Sequence, residues 1–431
     1  MQVVSAIGFL VLIGVTWLFS SHKSKINWAL VGWSSLLQLV FAVLVLGIPS
    51  LGFQGPLRGV FSFANSAVNE LLAFTEKGSS FLFGPLVDVK SIGFIFAFQV
   101  LPTILFFSAL TSVLYHLRIL QGIVKGIAFV MQKTLKTSGA ETLSAAANIF
   151  VGQTEAPLMI KPYLPKMTRS ELLVVMVGGM ATVAGGVLAA YVKFLQDRVP
   201  DIAGHLITAS LLSAPAALLV SKILMPETET PETSVGSKIS TPIETKNVIE
   251  AAANGASDGL KLAVNVGAML LVFVALIAFA NGILGEVGDW IGFSDWGKGW
   301  VPRLVDGEEA KLSLELIFGW LFAPVAWLLG IQWSEAQLVG SLLGQKLVLN
   351  EFIAYLGLSD LKSVLSERTL IIASYALCGF ANFSSIGIQI GGIGVLAPNR
   401  KTDLAELGLR AVLGGTIAAM LTACIAGLLV A

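Results

Sequence analysis

The sequence predicts an all-α polytopic membrane protein with eight transmembrane helices, two re-entrant helical hairpins and interfacial amphipathic helices, arranged as an inverted repeat. Three observations lead there. Of 431 residues, 55% are hydrophobic and 13% charged, with mean hydropathy +0.83, whereas soluble domains carry about a quarter charged residues. Eight apolar stretches approach the roughly 20 residues a helix needs to cross a bilayer. Two more apolar stretches are broken by polar residues at matching places in the two halves of the chain.

The spans fall near 4–19, 28–48, 92–114, 172–192, 205–224, 259–284, 369–393 and 404–430. The first lacks a positive leading segment and a small-x-small cleavage site, so it reads as a retained helix rather than a signal peptide. Residues 55–83 mix Phe61, Phe63, Leu71 and Phe74 with Asn65, Asn69, Glu70 and Lys77, a pattern suited to a helix lying in the membrane interface. Residues 118–138 read alike, with Arg118, Lys125, Lys133 and Lys136 among apolar neighbours.

The interrupted stretches are 142–165, broken at Gly152-Gln153-Thr154-Glu155-Ala156-Pro157, and 336–358, broken around Leu349-Asn350-Glu351-Phe352. Their limbs, of about ten residues or fewer, are too short to cross. Short, broken hydrophobic segments at corresponding places in two halves are a pointer to a transporter's binding site. Each half then runs span, amphipathic helix, hairpin, span, span. Three crossings per half force the second half to be inverted.

This divides the chain into scaffold helices and an interfacial helix at 1–91, a first repeat with hairpin 1 at 92–225, a polar linker at 226–257 and a second repeat with hairpin 2 at 258–431. The linker core, from Pro226 to Thr245, is rich in Pro and Thr and suited to flexibility. Lys and Arg number 14 on one set of loops and 10 on the other, a small bias that places both termini outside.

Net charge is zero, so nucleic-acid binding has no support. Cys378 and Cys424 lie in apolar segments and read as buried packing residues, without a disulfide framework. The Gly391-Gly392-Ile393-Gly394 run follows no strand, so close helix packing explains it better than a nucleotide loop. Lys261 and Lys346, near apolar stretches, could serve substrate or snorkel outward, and snorkelling is favoured. Trp28, Trp33, Trp290, Trp296 and Trp300 are expected to form an interfacial belt. His22, His116 and His205 sit at span edges, away from any metal or proton-relay role.

Chemistry concentrates at the breaks. A carboxylate at membrane depth is costly unless it is paired or faces a polar cavity, and each hairpin carries one, Glu155 and Glu351. About thirty residues later each half has a small, polar interruption inside a span, Ala181–Gly186 and Gly379–Gly387. Unwound helices there would expose carbonyls and half-helix ends to ions and polar solutes. The four elements together predict one central polar site and a secondary transporter for a small polar solute. A carboxylate can accept from two vicinal hydroxyls, and Phe380 and Phe383 offer an aromatic surface to a flat ring.

These same residues resemble the concentrative nucleoside transporter family, in its shorter bacterial members. The resemblance rests on Gly-Gln-Thr-Glu-Ala-Pro-Leu at 152–158, on Asn350-Glu351-Phe352 and on the run from Cys378 to Gly387, and it extends over about 92–430. It implies a sodium-coupled symporter that imports nucleosides such as uridine by an elevator-type alternating-access motion. It also implies a homotrimer in a bacterial inner membrane, no enzymatic activity and no cofactor beyond the coupling ion. Carried onto this chain, Gln153, Thr154 and Glu155 face the nucleobase, Val187 and Phe380 line the pocket, and Glu351, Asn382 and Ser385 hold the ribose. Sodium falls to the side chains of Asn148 and Thr182 and the carbonyls of Val151 and Val183. A proton-coupled symporter is the nearest rival. A membrane-embedded hydrolase using Glu155 and Glu351 lacks a nucleophile elbow or a metal cluster, and a channel is disfavoured by the occluding hairpins.

Overall fold

Polar residues decide where the helices begin. Asn27, Asn247, Ser313, Asn350, Ser366 and Asn382 each accept a backbone N–H from three residues ahead. Ser138 and Thr168 do so within capping boxes closed by Glu141 and Glu171. An unpaired donor in apolar surroundings costs on the order of several kcal/mol, so such caps are required wherever a helix starts away from water.

The computed structural model describes residues 1–48, 52–88, 93, 95–233, 245–300 and 310–430. The helices, in order, are α1 (Gln2–Leu18), α2 (Trp28–Leu46), α3 (Arg58–Phe83), α4 (Phe96–His116) and α5 (Ile119–Leu135). There follow α6 (Gly139–Ala147), α7 (Arg169–Ala181), α8 (Gly185–Leu195), α9 (Ile202–Leu224) and α10 (Val248–Trp290). The last are α11 (Leu314–Leu328), α12 (Trp333–Val348), α13 (Glu351–Asp360), α14 (Glu367–Leu377), α15 (Phe383–Leu396) and α16 (Lys401–Leu429). The middle of the expected linker, 234–244, and the side chain of Trp300 lie outside the described residues.

Six helical segments among the described residues are long and apolar enough to cross a membrane: Trp28–Leu46, Phe96–His116, Arg169–Leu195, Ile202–Leu224, Val248–Trp290 and Pro398–Leu429. They coincide with six of the eight expected spans. The expected span at 4–19 is α1, 17 residues long. The expected span at 369–393 is divided into α14 and α15. Gly379 is the cause: it stands at φ +127, and a Cβ there would lie 2.7 Å from the carbonyl oxygen of Met180. Only glycine tolerates both conditions, and Asn382 restarts the helix beyond it.

The hairpin regions differ from expectation in their limbs. The first limb of the first region is α6, nine residues, but the return is 3₁₀ helix at Ala156–Ile160 with Pro157 in its first turn. In the second region α12 has 16 residues rather than about ten. It follows α11 across a 117° bend at Leu329–Gln332.

Burial separates two groups of helices. Within an apolar 18-residue stretch of each, 89% of residues are buried in Arg169–Leu195 and Ile202–Leu224 and 83% in Pro398–Leu429, against 12% in the 43-residue Val248–Trp290. The long helix leans mainly on α4. Gly255 and Gly259 let the two backbones meet, since a Cβ on either would fall 2.8 Å from Cα of Ala109 or Leu105. Spacing of small residues by four is a general device for such close crossings in membranes. Trp28, Trp33, Trp290 and Trp296 are all exposed, as an interfacial belt requires.

Carboxylates pin the roots of both hairpins. The Ser138 hydroxyl donates to Glu171 Oε1 at 2.5 Å. In the second half Glu335 accepts from the Ser366 N–H at 2.8 Å and the Ser366 hydroxyl at 2.9 Å, and also from Thr369. Near the first root, buried Lys222 pairs with Glu141 at 2.8 Å and Glu227 at 3.2 Å. Thr233 accepts from the N–H groups of Gly139 and Ala140, so the start of the linker also caps α6.

Candidate functional site

The first hairpin turns through Asn148–Glu155, the segment between α6 and the 3₁₀ return. Gly152 sits at its tip, where a Cβ would displace the Glu155 carboxylate, whose Oε2 would lie 2.3 Å away. Glu155 is exposed, Thr154 half-buried and Gln153 buried. The second hairpin turns at Leu349–Asn350, where the Asn350 side chain caps α13 and leaves Glu351 in its first turn. Glu351 is 5% exposed, so its charge needs partners.

It has them. Tyr191 donates its hydroxyl to Glu351 Oε1 at 3.2 Å, and Asn382 donates Nδ2 to Oε2 at 3.1 Å. The Asn382 Oδ1 accepts the Ser385 N–H at 2.9 Å. The Ser385 hydroxyl accepts from Gln153 Nε2 at 3.3 Å, and Gln153 Oε1 accepts from Gln389 Nε2 at 3.1 Å. Gln389 is anchored in turn by donating to the Met176 carbonyl at 2.9 Å. A continuous chain of hydrogen bonds therefore joins the tip of the first hairpin to the tip of the second through the restarted helix α15.

Gln153, Glu351, Asn382 and Ser385 are thus brought together. Thr154 packs against α15 at Gly392, where a Cβ would approach Thr154 Cγ2 to 2.6 Å. Glu155, the next residue, is exposed. Neither joins the chain of bonds. Val187 is buried on α8 one turn before Tyr191, and Phe380 lies half-buried beside the break at Gly379. Phe383 is 48% exposed.

The second cluster surrounds Gly178. Asn148 donates Nδ2 to the Ser144 carbonyl at 3.0 Å and lies 3.3 Å from where a Gly178 Cβ would be. Its Oδ1 is buried without a hydrogen-bond partner. Thr182, at the end of α7, donates its hydroxyl to the Gly178 carbonyl at 2.9 Å. Val151 and Val183 are buried in the adjoining turns, and the Phe150 carbonyl accepts from Gly185 N–H at 3.3 Å, tying the hairpin tip to α8. A buried, unpaired amide oxygen beside a hydroxyl and the end carbonyls of a helix is a set of uncharged hard oxygens. Such a set suits a small monovalent cation.

Lys346 corrects an expectation. It does not snorkel: it is 2% exposed and donates Nζ to the Ala376 carbonyl at 2.9 Å. The reason is local, since Lys346 lies on the face of the 16-residue α12 that also buries Leu342 and Leu343. Lys261 is exposed and pairs with Asp258 at 3.3 Å. Both cysteines are buried and free. Tyr191 and Gln389 were missed by sequence reasoning. The available signal was that each is a lone hydrogen-bonding side chain four residues, or one helical turn, after a residue assigned to the site.

Comparison with known proteins identifies the family. Residues 7–86 match the model of the Na+ dependent nucleoside transporter N-terminus, 97–198 that of nucleoside recognition, and 205–427 that of the Na+ dependent nucleoside transporter C-terminus. The chain belongs to the concentrative nucleoside transporter family. It is 45% identical to an uncharacterized transporter of Haemophilus influenzae, over 100% of this chain and 98% of that protein. It is 41% identical to mouse sodium/nucleoside cotransporter 1, over 99% of this chain and 64% of the longer mouse protein. The structure of CNTnw in an inward-facing substrate-bound state superposes with a TM-score of 0.87 at 43% identity, covering 100% of this chain and 98% of that one. A CNTnw variant in an intermediate state gives 0.89, with 100% of both chains covered.

The chain is accordingly an integral protein of the bacterial inner membrane and a transporter, not an enzyme. Solved structures of similar proteins in outward-facing, intermediate and inward-facing states support alternating access as the family's mode of action.

Proposed function

We propose that the protein is a sodium-coupled symporter that imports nucleosides such as uridine, moving its substrate by an elevator-type displacement of one group of helices against another. The observation that carries this reading is the hydrogen-bonded chain Gln153–Ser385–Asn382–Glu351, which spans both hairpin tips. A nucleoside has two recognisable ends. The buried carboxylate of Glu351, with Asn382 and Ser385, suits the vicinal hydroxyls of ribose. Gln153, and beside it Thr154 and Glu155, suit the polar edge of a base, while Val187 and Phe380 supply apolar contact to its faces.

Sodium is assigned to Asn148 and Thr182 with the carbonyls of Val151 and Val183. The unpaired Oδ1 of Asn148 supports this. An ion there would order the turn that carries Gln153, raising nucleoside affinity, and by linkage the nucleoside would raise sodium affinity equally.

In this reading eight crossings and two re-entrant hairpins form an inverted repeat, with 1–91 as scaffold and interfacial helix, 92–225 and 258–431 as repeats and 226–257 as linker. The lightly buried α4 and α10 belong to the stationary part and face neighbours in a homotrimer. The tightly packed α6–α9 and α12–α16 travel.

The test is uptake of radiolabelled uridine into proteoliposomes under a sodium gradient, a proton gradient or neither. Concentrative uptake with sodium alone is expected. Uptake driven by protons alone would keep the nucleoside site and discard the ion assignment. No uptake under any gradient would discard the substrate.

A further inference from the structure

The two halves of the protein treat the same junction differently. In each, the end of a hairpin's first limb meets a helix that stops inside the protein. In the first half the meeting is Asn148 against Gly178 on α7, and every side chain there is uncharged. In the second it is Lys346 against Ala376 on α14, and the group is an ammonium. Ala376 is the penultimate residue of α14, so its carbonyl is among those left without an intrahelical partner. Carbonyl ends of helices carry partial negative charge that favours a cation. Glu351 follows Lys346 by five residues, and its direct partners, Tyr191 and Asn382, are both neutral. Lys346 is the buried cation that serves this helix end.

We propose that Lys346 is a positioning residue for transport, supplying from within the chain, at the second helix break, the positive charge that a sodium ion supplies at the first. This rests on the sodium reading above. The tethered ammonium keeps the end of α14 fixed against hairpin 2, with no mobile ion needed on that side.

The experiment compares wild type, Lys346→Gln and Lys346→Arg in proteoliposomes, reading uridine uptake against sodium concentration, the sodium-to-uridine ratio, and rescue by methylammonium. Wild type is expected to show a single-site sodium dependence and a ratio of one. Lys346→Gln should lose most uptake at ordinary sodium and regain it with a steeper dependence, or with methylammonium. Lys346→Arg, which retains the charge, should keep the wild-type slope.

A Lys346→Gln variant with reduced maximal uptake, unchanged slope and no rescue would overturn the proposal, leaving the lysine a structural cap. If that variant does not fold, the wild-type ratio and the arginine variant decide: a ratio of two, or a changed slope in Lys346→Arg, overturns it. Wild-type uptake indifferent to sodium would overturn the ion reading itself and this inference with it. That result is separable from the others, because it appears before any substitution is made.

Discussion

Asn382 and Glu351 meet across two helix breaks, with Nδ2 of the first donating to Oε2 of the second at 3.1 Å. Asn382 starts α15 while Glu351 opens α13. The bond therefore joins the restarted half of a broken helix to the return limb of a hairpin.

Replacing that carboxylate should show as a loss specific to ribose. Hydrogen bonds to a charged group contribute about 1.5–3 kcal/mol, so Glu351→Gln is expected to weaken uridine binding on the order of 10- to 100-fold. The relative penalty for 2′-deoxyuridine should shrink in the variant. Equilibrium binding of both nucleosides checks this, and equal uridine affinity in wild type and variant would refute the ribose assignment.

Tyr191→Phe isolates one donor. The ring stacks on Tyr355 with centroids 3.9 Å apart and planes at 9°, and phenylalanine keeps that contact. Only the hydroxyl on Glu351 is lost, a bond to a charged group contributing about 1.5–3 kcal/mol, or on the order of 10- to 100-fold in affinity. Thermal stability should change little. A large fall in melting temperature with unaltered nucleoside affinity would show the hydroxyl to be structural.

Asn148→Ala removes the unpaired Oδ1. The sodium concentration for half-maximal uptake should rise several-fold, with the effect on uridine affinity vanishing at saturating sodium. Unchanged sodium dependence would exclude Asn148 as a ligand.

The root of hairpin 1 offers a stability test. Lys222 and Glu141 are both almost fully buried and 2.8 Å apart. Removing one partner of a buried pair costs about 3–5 kcal/mol because the other charge is stranded. Lys222→Met should therefore lower the unfolding temperature markedly, and adding Glu141→Gln should recover part of the loss. A single variant as stable as wild type would mean that the pair contributes nothing.

Much of this was legible because membrane sequences make polarity conspicuous. Gln153, Thr154, Glu155 and Glu351 stand out against apolar neighbours, and Gly152 and Pro157 mark the turn between them. The structure brings Gln153 and Glu351 into one chain of bonds as polar residues that must find partners. Tyr191, Gln389 and Lys346 were harder. A tyrosine or glutamine on an apolar helix gives no sign of which face it occupies, and a lysine near a limb's end resembles one that reaches outward. Limb lengths were also hidden, since the 3₁₀ return at Ala156–Ile160 follows from local backbone geometry rather than from hydropathy.

The near contact of Gly379 with the Met180 carbonyl bears on how substrate range can change. Side chains around the pocket are replaceable in principle, but a meeting of two main chains has no alternative rotamer to fall back on. Diversity in a library randomised across 378–383 should thus collect at Phe380 and Phe383, while functional clones return glycine at 379. New specificities would arise by redecorating a fixed seam, not by moving it.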